Sequence, residues 1–133
     1  TAAGKKRMKR EATGIRKLKL PLDVIISSPL VRALQTAEIV AKAYASAARL
    51  VTDGRLRPGF GPKHLAELVT QHRRARGVML VGHEPDFSET ISHVTGGGRL
   101  TVKKGALAYV EVEDRAPVKG TLVWLIPPKA LEW

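Results

Sequence analysis

Asp23-Val-Ile-Ile-Ser-Ser-Pro-Leu-Val-Arg32-Ala-Leu-Gln-Thr36 and Val78-Met-Leu-Val-Gly-His83-Glu-Pro-Asp86 are the two stretches whose reading decides the fold. Each is a short apolar run that stops at a tight polar turn and restarts with helical spacing. In an open parallel sheet, both turns lie beyond the carboxyl ends of their strands, where such folds bind ligands. One turn carries Arg32 and the other His83. A fixed cation, an imidazole and two helix amino ends around one crevice describe an anion site, phosphate above all.

Working outward, Thr1 and Gly4 open a periodic run that predicts a first helix ending near Leu20-Pro21, with Thr1 as its cap. Val24 to Ser27 reads as a buried strand. Ser28 is then expected to cap the next helix, with Pro29 at its first position. Leu30, Leu34, Ala37, Ala41 and Tyr44 mark that helix's core stripe. A brief strand is expected around Leu50-Val51. Asp53 to Pro62 is a Gly/Pro-rich connection, and Pro62 starts a helix carrying Leu65, Leu68 and Val69. Val78 to Val81 reads as a strand buried on both faces. The helix after it places Phe87, Ile91 and Val94 on one side and stops at Gly96-Gly97-Gly98. Ala106–Val112 and Leu122–Ile126 are expected to be strands joined by a turn over Asp114–Gly120. Helices alternating with apolar strands give an α/β class: a three-layer α/β/α sandwich with a mostly parallel central sheet.

The length of 133 residues suits one domain with a single core, so residues 1–133 are read as one unit. No apolar window is long enough to span a bilayer. The absence of cysteine excludes a disulfide scaffold and thiol chemistry. The net charge of +11 is uneven, because residues 1–20 hold eight cations against Glu11 alone. Met8, Ala12, Ile15 and Leu18 recur at helical spacing within that run. It is therefore an amphipathic helix with its cations turned to water, rather than a nucleic-acid arm. No aromatic side chain interleaves with the charges to stack on bases.

Arg32 lies early in its helix, where its planar fork of donors can bend toward the unpaired amides and grip two phosphate oxygens. Gln35 and Thr36, one turn on, are read as ties between helix and loop. Gly82 before His83 allows a close backbone approach or an unusual dihedral, and Asp86 with Glu89 resembles a capping arrangement. His72 is placed at the edge of the core; His64 and His93 fit solvated or capping positions. No His-x-x-x-His pair, Gly-x-Gly-x-x-Gly turn, P-loop or Gly-x-Ser-x-Gly elbow occurs, so neither a metal site nor a cofactor is expected.

Ser27-Ser-Pro-Leu-Val-Arg32-Ala-Leu-Gln35-Thr36-Ala-Glu and Val81-Gly-His83-Glu-Pro-Asp resemble two motifs of the histidine phosphatase superfamily, within it the short, lidless SixA-type phosphohistidine phosphatases. Lys103-Lys-Gly105-Ala106 and the Trp124-Leu-Ile-Pro-Pro ending are similar to that branch too. The resemblance implies that Arg32 and His83 are catalytic and that Arg32, His83 and Glu84 surround the phosphate. It also implies hydrolysis of phosphohistidine through a phosphohistidine intermediate, a phosphorylated protein or small phosphate compound as partner, a cytoplasmic, signalling setting, and no dependence on membrane or nucleic acid. The nucleophile of that family is a histidine in an Arg-His-Gly motif ending its first, central strand. That tripeptide is nowhere in the 133 residues. Hence the first strand is expected to be missing from this chain, and the chain to be inactive as it stands. Two other readings compete: a non-catalytic phosphate or phosphoprotein binder of the same fold, and a basic nucleic-acid-binding domain using the first helix.

Overall fold

In a computed structural model, which describes residues 1–45 and 47–133, the axis of the molecule is β1 (Val24–Ser27), buried along its whole length. Both of its edges are paired in parallel. Val24–Ser27 lie opposite Arg49–Thr52 of β2 on one side and Val78–Val81 of β3 on the other. Successive side chains of a strand point to opposite faces, and β1 uses both. Ile25 packs against Ala12 and Ile15 of α1 (Ala2–Lys17) and Ala37 and Val40 of α2 (Val31–Ala43). Val24 and Ile26 pack against Leu56, Phe60 and Leu68, the last from α3 (Pro62–Gln71). Burying each such isoleucine contributes roughly 1.5–3 kcal/mol. Two helices on one face and α3 on the other make the expected three-layer sandwich.

After β3 comes α4 (Asp86–Val94), then an antiparallel hairpin of β4 (Leu107–Arg115) and β5 (Val118–Ile126), and a short α5 (Pro128–Leu131). The hairpin forms a sheet of its own, separate from β2-β1-β3. Its strands run closer together in sequence than Asp114–Gly120 would allow. The turn is confined to Ala116-Pro117, since the strand pairing continues to Arg115 opposite Val118. Among the described residues no helix is long and apolar enough to cross a membrane.

Local signals acted largely as the sequence dictates. The Thr1 hydroxyl accepts from the Gly4 amide at 3.0 Å, and Pro62 occupies the first turn of α3. Gly96, Gly97 and Gly98 all have positive φ after α4. The stripe of α2 is rotated by about one position from expectation: Ala33, Ala37, Val40 and Tyr44 are buried, whereas Leu30 is 42% exposed. The helix begins at Val31, so Leu30 still belongs to the turn and its side chain faces water.

Among the described residues one carboxyl side chain is buried. Glu11 of α1 sits inside the molecule, and burial, reinforced by Glu132 nearby, raises its carboxyl above the ordinary range against the opposing pull of Arg7 and Arg10. A carboxyl held more protonated in the folded state than in the unfolded chain makes stability fall as pH rises from the unfolded value of 4.5. Glu11→Gln is therefore expected to raise Tm at pH 7 by roughly 2–5 °C while leaving it nearly unchanged at pH 4. Calorimetry at the two pH values checks this. A variant no more stable than the parent at pH 7 would mean that the carboxylate is well compensated where it lies.

Candidate active site

The carboxyl ends of β1 and β3 are adjacent, and the two signature turns leave from them. The Ser28 amide donates to the Val81 carbonyl at 2.9 Å, extending the β1–β3 ladder by one rung. Ser28 Oγ then lies 2.9 Å from His83 Nε2, although the residues are 55 apart in sequence. The same hydroxyl accepts from the Leu30 amide at 3.2 Å. Ser28 is thus not the cap of α2. It fixes the turn and holds the imidazole, and α2 starts two residues after Pro29 with no side chain capping its amino end. The uncapped first-turn amides favour an anion there.

Arg32 is the second residue of α2 and is exposed; among the described residues it forms no ion pair. Arg32, Thr36, Gly82 and His83 line one cleft. Neither Gln35 nor Thr36 makes a side-chain hydrogen bond among the described residues, so the expected tie from helix to loop is not seen there.

Gly82 is required by packing and not by an unusual dihedral. A Cβ placed on it would sit 2.8 Å from the Phe87 ring and 3.3 Å from the Leu56 carbonyl. The Phe87 ring in turn meets Phe60 edge-on at 5.4 Å between centroids. This apolar wedge sets the path of the chain from β3 through His83 into α4.

The capping role expected of Asp86 falls to Glu84. The Glu84 carboxylate accepts from the Ser88 amide at 3.0 Å and from the Ser88 hydroxyl, so it is Glu84 that caps α4. Ser88 Oγ also accepts from the Val102 amide at 2.8 Å, tying the segment before β4 to the same corner. Asp86 instead accepts from the Gly59 amide at 2.8 Å and anchors the Asp53–Pro62 connection. Glu84 lines the cleft, yet it brings an acceptor already engaged by Ser88 where an anion needs donors.

The other candidates fall outside. His64 Nδ1 accepts from the Gly61 amide at 3.3 Å, a cap. His93 is exposed and His72 ends α3 half-buried. Several cations of α1 are spent locally: Arg10 pairs with Glu132 at 2.8 Å, Arg16 lies over Tyr44 and Lys17 over Trp133. The residue missed by sequence reasoning is Ser28 as partner of the imidazole. The signal was the serine pair at the end of the apolar run Val24–Ile26, which is also where a helix cap is expected.

The model of the histidine phosphatase superfamily (branch 1) matches residues 1–62. An uncharacterized protein of Picosynechococcus sp. is 34% identical over 111 residues, covering 80% of this chain and 67% of that protein. The structure of the protein histidine phosphatase SixA complexed with tungstate superposes with a TM-score of 0.82 at 21% identity, over 99% of this chain and 85% of that one. A second structure carrying the SixA name, from Agrobacterium tumefaciens, gives 0.74 at 21% identity, over 96% and 85%. Residues 1–62 thus match the histidine phosphatase superfamily. The fold of the chain is that of SixA.

Proposed function

We propose that the protein is a phosphohistidine phosphatase whose phosphate pocket is the cleft lined by Arg32 and His83. What carries this reading is the meeting, beyond the ends of β1 and β3, of an exposed guanidinium, an uncapped helix start and an imidazole held at 2.9 Å by Ser28. The match of residues 1–62 to a phosphatase family supports the reaction class, and the tungstate in the matched SixA structure, a tetrahedral oxyanion, supports the ligand shape.

In this reading the nucleophile is a histidine from an Arg-His-Gly strand upstream of Thr1. Its ring nitrogen attacks phosphorus in line, forming one N–P bond as the N–P bond to the substrate imidazole breaks. The departing imidazole takes up a proton. Water then attacks the phosphorylated enzyme, releasing inorganic phosphate and the free histidine. Arg32 spans two equatorial oxygens with its fork, and the first amides of α2 share the charge. His83, oriented by Ser28, donates through a protonated ring nitrogen. An imidazole leaves far more readily than an alkoxide, so no strong general acid is needed. This accords with the commitment of Glu84 and Asp86 to hydrogen bonds within the fold.

The test is hydrolysis by a chain extended upstream with that strand, on a phosphohistidine protein and a phosphoserine peptide side by side. Phosphohistidine is expected to react at least about tenfold faster, and the 133 residues alone to release no phosphate. Equal rates on both substrates would overturn the substrate class. Phosphate binding without turnover by the extended chain would favour the non-catalytic binder.

A further inference from the structure

At the amino ends of the parallel strands, opposite the cleft of Arg32 and His83, lies a second hollow of about 560 Å³. Three segments wall it: Asp23 and Val24 entering β1, Arg49 opening β2, and residues 71–75 at the end of α3. The run His72-Arg-Arg-Ala-Arg76 places three guanidinium groups and an imidazole within five residues, and the proposed reaction uses none of them. Cations at the carboxyl end of a helix are ordinary, because they face its last carbonyls. That reading does not reach Arg49, which arrives from another strand.

One carboxylate lines the hollow, and it is already engaged. Asp23 accepts from the Arg76 amide at 2.7 Å and from Arg76 Nη2 at 3.0 Å. Its backbone fastens the three segments together: the Asp23 amide donates to the Gly77 carbonyl and its carbonyl accepts from the Arg49 amide, each at 3.0 Å. The Ala75 amide closes the turn onto the His72 carbonyl at 2.9 Å. Arg49, Arg73 and Arg74 are exposed and form no ion pair among the described residues. Like charges gathered around one hollow repel one another, and a bound anion turns that cost into attraction. His72 and Arg73 also border the large cavity that includes the active cleft, whereas Arg49 and Arg74 belong to this hollow alone.

The lining also says what kind of anion fits. Each guanidinium is a planar fork matched to two phosphate oxygens. A single phosphate group carries about 1.5–2 negative charges at pH 7, fewer than three arginines balance. A chain of phosphates supplies the rest. No aromatic ring lines the hollow, so a nucleobase has nothing there to stack on. We propose that Arg49, Arg73 and Arg74 form a second anion site, which takes an oligophosphate chain by its charge and its oxygens and ignores any organic group attached to it. The site stands independently of the phosphatase reading, because hollow and cleft lie beyond opposite ends of β1.

The experiment titrates inorganic tripolyphosphate into the protein at low salt, followed by calorimetry, in the parent and in Arg32→Ala. Arg32→Ala silences the cleft and is expected still to bind one chain. Adding Arg49→Gln or Arg74→Gln to it is expected to weaken binding about tenfold or more, the scale of a hydrogen bond to a charged group. Binding by the parent that Arg32→Ala alone abolishes would put the ligand in the cleft; it overturns the second site and leaves the phosphatase reading untouched. No binding by either protein overturns it too. Adenosine triphosphate is expected to match tripolyphosphate, and a gain of about tenfold, the scale of one stacked base, overturns recognition by the chain alone. A duplex oligonucleotide retained through Arg49 and Arg74 when tripolyphosphate is not would make the hollow part of a nucleic-acid surface instead. Melting curves give a second reading. Tripolyphosphate is expected to raise the parent's Tm, and unliganded Arg74→Gln to melt no lower than the parent, since it removes repulsion. A lower Tm for that variant would mean that Arg74 serves the end of α3 and not a ligand.

Discussion

With the upstream Arg-His-Gly strand in place, Arg32→Ala is expected to lower kcat by about a hundred- to a thousand-fold, the scale on which losing one aligned donor to the transferring group is felt. The argument is geometric. Arg32 stands at the second position of an uncapped helix, in a cleft shared with His83, and no carboxylate among the described residues neutralises it. Its charge is therefore available to the phosphoryl oxygens. Arg32→Lys keeps the charge and loses the fork, so an intermediate rate is expected. His83→Ala is expected to fall by a similar factor, because it removes a ring whose orientation Ser28 has already fixed. Steady-state kinetics on each variant, with circular dichroism to confirm the fold, decides the matter. A rate within about twofold of the parent would strip that residue of its role.

Gly77→Ala is expected to damage the fold severely although it lies outside the site, lowering stability by about 3 kcal/mol. A Cβ at Gly77 would lie 1.9 Å from the Pro21 carbonyl oxygen, and a backbone atom cannot swing aside as a side chain can. The Gly77 carbonyl also accepts from the Asp23 amide at 3.0 Å, so relief by moving the chain would undo the first rung between β1 and β3. The contrast is Gly61→Ala. Gly61 has extended backbone at φ −151° and open space around its Cβ position, so any residue fits there. That substitution is expected to cost no more than about 1 kcal/mol, since alanine is a poorer cap for α3 than glycine but also restricts the unfolded chain. Urea midpoints of the two variants check the pair. Equal effects would mean that the approach of Pro21 to Gly77 is not built into the fold.

Particular residues show what could be read before the fold was known. The Val-Ile-Ile and Val-Met-Leu-Val runs are apolar without alternation, as in strands of a parallel sheet, and both became strands of one parallel ladder, β1 buried throughout and β3 half-buried where burial was expected. Caps set by residues within one turn of each other, such as Thr1 with Gly4, were legible for the same reason: the partners are neighbours in sequence. Ser28 was misjudged because two structures competed for one hydroxyl. Capping α2 is a local choice, while bonding His83 depends on β1 and β3 lying side by side. Asp86 was misread as a cap likewise, because the Gly59 amide that claims it comes from another part of the chain.

The sequence by itself determined the element types, the α/β class and the two turns that carry Arg32 and His83, because periodicity, turn residues and helix starts act over a few residues. Only the tertiary structure decided that these turns share a cleft, that Ser28 holds the imidazole, and that Asp86 takes the Gly59 amide. Those are contacts between segments some thirty to fifty residues apart, and they form only once the ladder register and the handedness of the crossovers are fixed.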